Sequence, residues 1–272
     1  MWIYHDAEAP MISGMCRSLG ITQAIDEMVE WEERQYKLSP GLRVEAMIVN
    51  ILMGRKPLYR LHEFFEDVDV SKIFDPGIEA DDWTDDAMAR ALDKLAAAGP
   101  EKVYGAVALA AASREGVDLS VLHADTTSVS VQGVYEDDVG EDVLSITWGY
   151  SKQSRPDLKQ FLLGIGSTKD QIPLIGEVLD GNTSDHEWAR GLLCRLSSTF
   201  KEDVVYVADS SLVSKINLEA IAEKNVKFIS RIPASFLIAG ELKERAWEEG
   251  SWEEVGALSP RKEASLYKVC SL

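Results

Sequence analysis

One aspartate sits inside a strand-like stretch, where a charge should be costly, and another closes a second such stretch. The stretch "VLHADTTSVSVQG", residues 121–133, has the β-branched content and alternation of a strand and closes on Gly133. Alternation sets Val121, His123, Asp125, Thr127, Val129 and Val131 on one face. Leu122, Ala124, Thr126, Ser128 and Ser130 take the other. Asp125 thus shares a face with valines, where a lone buried carboxylate is costly and needs a pair, hydrogen bonds or a metal. One reading is a structural aspartate bonded to the hydroxyl of Thr126 or Thr127. The stretch "VVYVADSS" gives the other reading weight. It ends an apolar strand at Asp209, just before a loop and a helix. Ligands of open α/β sheets gather beyond the carboxyl ends of strands, so an aspartate there suits a metal or a phosphate. Only the fold can bring Asp125 and Asp209 together. Once together they repel unless a cation lies between them. Two aspartates and a hard divalent cation are the parts of phosphoryl-transfer chemistry.

Helices dominate up to about residue 118. "SPGLRVEAMIVNILMG" (39–54) opens with a Ser cap and a Pro at the first helical position and stops at Gly54. "TDDAMARALDKLAAAGP" (84–100) repeats that design, with Thr84 as cap, acids in the first turn and Gly-Pro as stop. Residues 12–31 and 100–114 are further helices, and 55–74 holds two short ones. The character changes near Val117. Strands are predicted at 119–133, at "VLSITWGYS" (143–151) and, as a hairpin, across 161–181. A helix over 184–200, a strand over 203–209 buried on both faces, a helix over 213–225 capped by Ser214 and a strand over 226–232 follow. The expected fold class is α/β: a mixed sheet with flanking helices, preceded by an all-α domain. The expected boundaries are 1–118, 119–235 and 236–272.

The 272 residues, 46% of them apolar, suffice for a sizeable core and suggest about two domains. Lys and Arg number 28 against 46 Asp and Glu, a formal charge of −18. That balance argues against non-specific coating of nucleic acid but allows a local basic groove. Cys16, Cys194 and Cys270 are odd in number and form no CxxC pair, which fits reduced thiols. No basic-then-apolar leader opens the chain, and no apolar run approaches the roughly 20 residues that span a bilayer. A soluble cytoplasmic protein without membrane contact is expected.

On this acidic background "WGYSKQSRPDLKQF" (148–161) stands out, with Lys152, Arg155 and Lys159 beside Trp148 and Tyr150. It suits contact with DNA phosphates, or is a solvated loop. His123 orients a carboxylate, touches DNA or is a core histidine. "DGNTSDHEW" (180–188) reads as a turn and a cap, with Asn182, Thr183 and Asp185 as secondary candidates and His186 as an exposed helix residue. His5 and His62 have no ligand-type partner at metal spacing. "WEERQYK" and "RKPLYR" are the basic patches of the helical segment, which serves DNA binding, packing or dimerisation. No GxxxxGK[ST] loop occurs, so no nucleotide cofactor is expected.

"LHADTTSVSVQGVYE", "GYSKQSRPDLKQFLLGI", "IPLIGEVLDGNTSD" and "VVYVADSSLVSKINLEAIAEKNVKFISRIP", in that order, resemble the core of insertion-sequence DDE transposases. "RKPLYRLHEFFE" and "TDDAMARALDKL" resemble the helical domain preceding it. The resemblance implies an RNase H-like catalytic domain with a β-rich insertion before its last acid. It implies Asp125 and Asp209 as the first two catalytic acids, holding Mg²⁺ or Mn²⁺ while water and then a DNA 3′-hydroxyl attack a phosphodiester. Transposon-end and target duplexes are the implied partners, with a homo-oligomer open. The family's third acid, a Glu on a late helix with Tyr, Arg and Lys, has no match. Glu241, Glu244, Glu248 and Glu263 read as solvated charges. "SLYKVCSL" alternates like a strand in progress. The expectation is a transposase truncated before that Glu. The alternative is an inactive remnant that binds DNA or a transposase.

Overall fold

The computed structural model describes residues 8–32, 37–135, 143–199, 204–259, 261 and 264–272. His5, Glu263 and most of "WEERQYK" lie outside them. The chain divides into two compact units, Met1–Thr183 and Ser184–Leu272.

The first unit opens with helices α1 (Glu8–Leu19), α2 (Ile21–Met28), α3 (Pro40–Met53), α4 (Leu61–Glu66), α5 (Val70–Ile73), α6 (Asp85–Ala98) and α7 (Pro100–Glu115). The segment read as one helix over 12–31 is two, because Gly20 adopts φ 74° and turns the chain. Ser39 caps α3 by accepting the Leu42 N–H at 3.1 Å, and Thr84 caps α6 by accepting that of Ala87 at 3.3 Å. The core of the helical segment is aromatic. Phe65, Phe74 and Trp83 lie 4.9–5.5 Å apart by ring centroid. Trp83 and Phe65 are almost fully buried.

Strands β1 (Val121–Val131), β2 (Lys159–Thr168) and β3 (Pro173–Leu179) form an antiparallel meander. Helix α7 packs on β3: the Tyr104 hydroxyl donates to the Pro173 carbonyl at 3.2 Å, and Gly176 lies under the Tyr104 ring. The change of character near Val117 is therefore not a break between compact units.

Two expectations are corrected here. The buried face of β1 carries Leu122, Ala124, Thr126 and Ser128, and the face with His123, Asp125 and Thr127 is exposed. Small and hydroxyl side chains can line the covered face because their hydroxyls find partners, whereas Asp125 stays solvated. Residues 143–151 are not a strand. They make one bridge, Thr147 to Gln160, and otherwise run as a loop.

The second unit holds α8 (Asp185–Thr199), β4 (Val205–Ala208), α9 (Lys215–Lys224), β5 (Lys227–Ile229), α10 (Leu237–Glu249), β6 (Ser251–Ala257) and β7 (Leu266–Ser271). β4 and β5 pair in parallel, and β6 and β7 form an antiparallel hairpin. Ser214 caps α9 by accepting the Asn217 N–H at 3.2 Å. The strand read as buried on both faces has only Tyr206 fully buried, with Val205, Val207 and Ala208 half-buried. Among the described residues no helix is long and apolar enough to cross a membrane. None of Cys16, Cys194 and Cys270 forms a disulfide.

Candidate active site

Asp125 sits mid-strand, paired across to Ile165, so its backbone is held by the ladder while its carboxylate is 80% exposed. Oδ1 accepts the N–H of Thr126 at 2.7 Å. The same oxygen lies 3.7 Å from Lys152 Nζ. That ammonium donates to the Thr126 carbonyl at 2.8 Å and to the Thr126 hydroxyl at 2.6 Å. The Lys152 backbone N–H donates to Ser128 Oγ at 3.2 Å, and Gln153 Nε2 donates to the Ser128 carbonyl at 2.9 Å. The buried hydroxyls of β1 are thus anchors for a loop that carries a cation to Asp125.

Gln160 holds that loop from its other side, a role the sequence reading missed. Its side chain is buried and donates to the Gly181 carbonyl at 2.8 Å and the Tyr150 carbonyl at 3.3 Å. Its backbone exchanges hydrogen bonds of 2.8 and 3.2 Å with Thr147. The crossing admits only glycine: a Cβ on Gly149 would fall 1.9 Å from the Gly181 carbonyl oxygen, and one on Gly181 2.0 Å from that of Gln160. Asp180 Oδ1 accepts the Ser145 N–H at 2.8 Å, which fixes the turn that exposes Asn182. The signal was an amide among apolar strand residues, but its partners lie far away in sequence.

The other predicted cations each have a partner. Arg155 makes a two-pronged pair with Asp157, Nε to Oδ1 at 2.9 Å and a terminal nitrogen to Oδ2 at 2.7 Å. That pairing holds the Asp157 carboxyl below its usual range and raises the guanidinium. Lys159 Nζ lies 4.9 Å from the Trp148 ring centroid and donates to the Tyr135 carbonyl. Trp148 and Tyr150 are exposed on the same loop. His123 is exposed two residues from Asp125, on the same face.

In the second unit Asp209 follows β4 and caps a short 3₁₀ turn, Ser210–Leu212. Its Oδ1 accepts the Ser211 N–H at 2.9 Å and the Ser211 hydroxyl. Its carbonyl accepts from Ser230 Oγ at 2.6 Å, which ties the turn to the segment after β5. Asp185 begins α8 and is half-buried. The exposed His186 contacts the Ser211 carbonyl through Nδ1, so the start of α8 is tied to the Asp209 turn. Glu241, Glu244 and Glu248 are exposed on α10.

Asp125 and Asp209 each offer hard carboxylate oxygens, the donor type that divalent Mg²⁺ and Mn²⁺ take, one on a strand and one at a cap. Among the described residues no three His, Cys, Asp or Glu side chains gather as a metal-binding group.

The family described as "Domain of unknown function (DUF4277)" matches residues 7–109, less than half of the chain. No curated protein matches. Among solved structures, the chain is similar to a Mos1 transposase paired-end complex with left transposon end, at 10% identity over 80% of this chain and 74% of that one, TM-score 0.27. It is similar to the Mos1 strand transfer complex, at 10% identity over 79% and 67%, TM-score 0.28. It is also similar to a piggyBac transposase synaptic complex with hairpin DNA, at 10% identity over 94% and 62%, TM-score 0.44. At this identity and these TM-scores no function passes to the chain by likeness.

Proposed function

We propose that the chain carries the first two acids of a DDE-type transposase of an insertion sequence, with an RNase H-like core. Asp125 and Asp209 would hold Mg²⁺ or Mn²⁺. The observation that carries the reading is Asp125 itself: a carboxylate on a rigid strand, open to solvent and flanked by a cation-bearing loop. The four motifs in chain order and the strand-end setting of Asp209 support the same reading.

In the reaction, water attacks a phosphodiester phosphorus and the bond to the 3′ oxygen breaks. A free 3′-hydroxyl and a 5′-phosphate result: one proton of the attacking water passes by way of solvent to the leaving 3′ oxygen, and the other ionises from the new phosphate. The 3′-hydroxyl then attacks a target phosphodiester in the same sense, releasing a target 3′-hydroxyl. A bound divalent ion supplies Lewis acidity and charge neutralisation at phosphorus. This chain's residues position: the β1 ladder and the Asp209 cap fix the two carboxylates. Gln160 and the Gly149–Gly181 crossing hold the loop. Lys159 and Arg155 face phosphates once exchanged from their internal partners, and the exposed rings of Trp148 and Tyr150 suit stacking on unpaired bases. The partners in this reading are transposon-end and target duplexes.

The test is nicking of supercoiled plasmid with Mg²⁺ or Mn²⁺. Wild type is expected to nick, and Asp125→Asn or Asp209→Asn to lose more than about 100-fold. A wild-type chain inert in both metals, or an asparagine variant as active as wild type, sinks the proposal.

A further inference from the structure

We infer that Lys152 is a resident counter-ion of Asp125, which holds the carboxylate and its loop in a cation-free arrangement and weakens divalent-cation binding there. The inference rests on the reading of Asp125 as a metal ligand. An exposed lysine–aspartate pair is ordinarily a mobile surface contact of little consequence. This one is built differently. The lysine is the more buried partner, at 29% exposure against 80% for the aspartate. Its ammonium is fixed by the Thr126 carbonyl and hydroxyl at 2.8 and 2.6 Å, and its own backbone by Ser128. Gln153 pins the next residue to the same strand.

The cation therefore does not depend on Asp125 for its position. Bonds to Thr126 hold it 3.7 Å from Oδ1. A dication on Asp125 must bind against a fixed positive charge. At such range, with water-like screening, that repulsion is worth roughly tenfold in affinity. The other exposed groups on this face of β1 are His123 and Thr127. The same ammonium lies where a substrate phosphate could replace Asp125 as its anionic partner. Lys152 is thus a positioning residue that disfavours metal before substrate arrives.

The test is Mn²⁺ binding to the full chain, read by calorimetry and by the electron paramagnetic resonance of free Mn²⁺ at low ionic strength. Asp125→Asn defines the background from this acidic protein. Lys152→Gln is expected to bind about tenfold tighter through Asp125, and Lys152→Arg to bind like wild type. The gain should shrink in about 0.5 M salt, where charges are screened within a few ångströms. A wild type that binds no Mn²⁺ beside a Lys152→Gln variant that does would support the inference in its strongest form. A folded Lys152→Gln variant no tighter than wild type overturns it and leaves Asp125 a ligand. No Asp125-dependent binding in either overturns the metal-ligand reading as well. Lys152→Met serves in the same comparison if the glutamine variant does not fold, with thermal melts reporting folding throughout.

Discussion

Two carboxylates of the first unit have opposite settings. Glu45, inside α3, is fully buried. It accepts from Ser13 Oγ at 2.5 Å and Thr22 Oγ1 at 2.6 Å, with Arg17 Nε at 3.4 Å. Arg17 donates to the Ile73 carbonyl at 3.1 Å and Ser13 Oγ lies 2.9 Å from it, so the cluster around Glu45 ties α1, α2, α3 and α5 together. Asp125 is mostly solvated, accepts one backbone N–H and has one cation beside it. A buried charge must be satisfied within the fold, and doing so uses up its oxygens. An exposed one on a rigid strand keeps capacity for a ligand. Glu45 is expected to serve stability and Asp125 to serve chemistry.

The sharpest way to break that contrast is Glu45→Ala. It removes the carboxylate that accepts from the Ser13 and Thr22 hydroxyls and faces Arg17, and should cost about 3 kcal/mol in urea unfolding. Glu45→Gln keeps the shape but loses the charge-assisted bonds, for about half that cost. Asp125→Asn should change stability by less than about 0.5 kcal/mol while removing metal-dependent nicking. A large loss of stability there would make Asp125 structural after all.

Cys16 sharpens the picture of the Glu45 region. Burial, and then the charge of Glu45, push its thiol up to about 11. At pH 8 its thiolate is scarce, so alkylation of the native protein should label exposed Cys194 and spare Cys16 until unfolding. Glu45→Ala should bring Cys16 labelling forward.

The smallest effect belongs to an exposed pair. Lys169 holds the Asp118 carboxyl well below the carboxylate range and is itself raised. A depressed carboxyl contributes stability above its unfolded pKa and loses it as pH falls through the folded value. The pair's contribution should thus vanish only in strong acid. Asp118→Asn should flatten the acid limb of the stability profile and barely move the melting temperature at neutral pH.

The helical segment was largely legible. The Ser39, Thr84 and Ser214 caps bond within three residues, so chain-local patterns announce them. Asp125 was singled out as a charge inside a strand and Asp209 as an acid at a strand's end. The burial assigned to Asp125 was reversed, since alternation defines two faces of β1 without saying which is covered. Gln160 and Glu45 were passed over because their partners are remote: Gly181 for one, Ser13 and Thr22 for the other. The loop 143–151 resembled a strand because β-branched and aromatic content scores alike in a strand and in a loop strapped to one.

The sequence by itself determined where helices start and stop, which segments extend, and which acids break the pattern. Those features arise from interactions spanning a few residues. Only the tertiary structure decided that Asp125 faces solvent, that Lys152 is fixed beside it, and that Gln160 and two glycines hold the loop. Burial and ion pairing depend on what packs across a face, and those neighbours come from elsewhere in the chain.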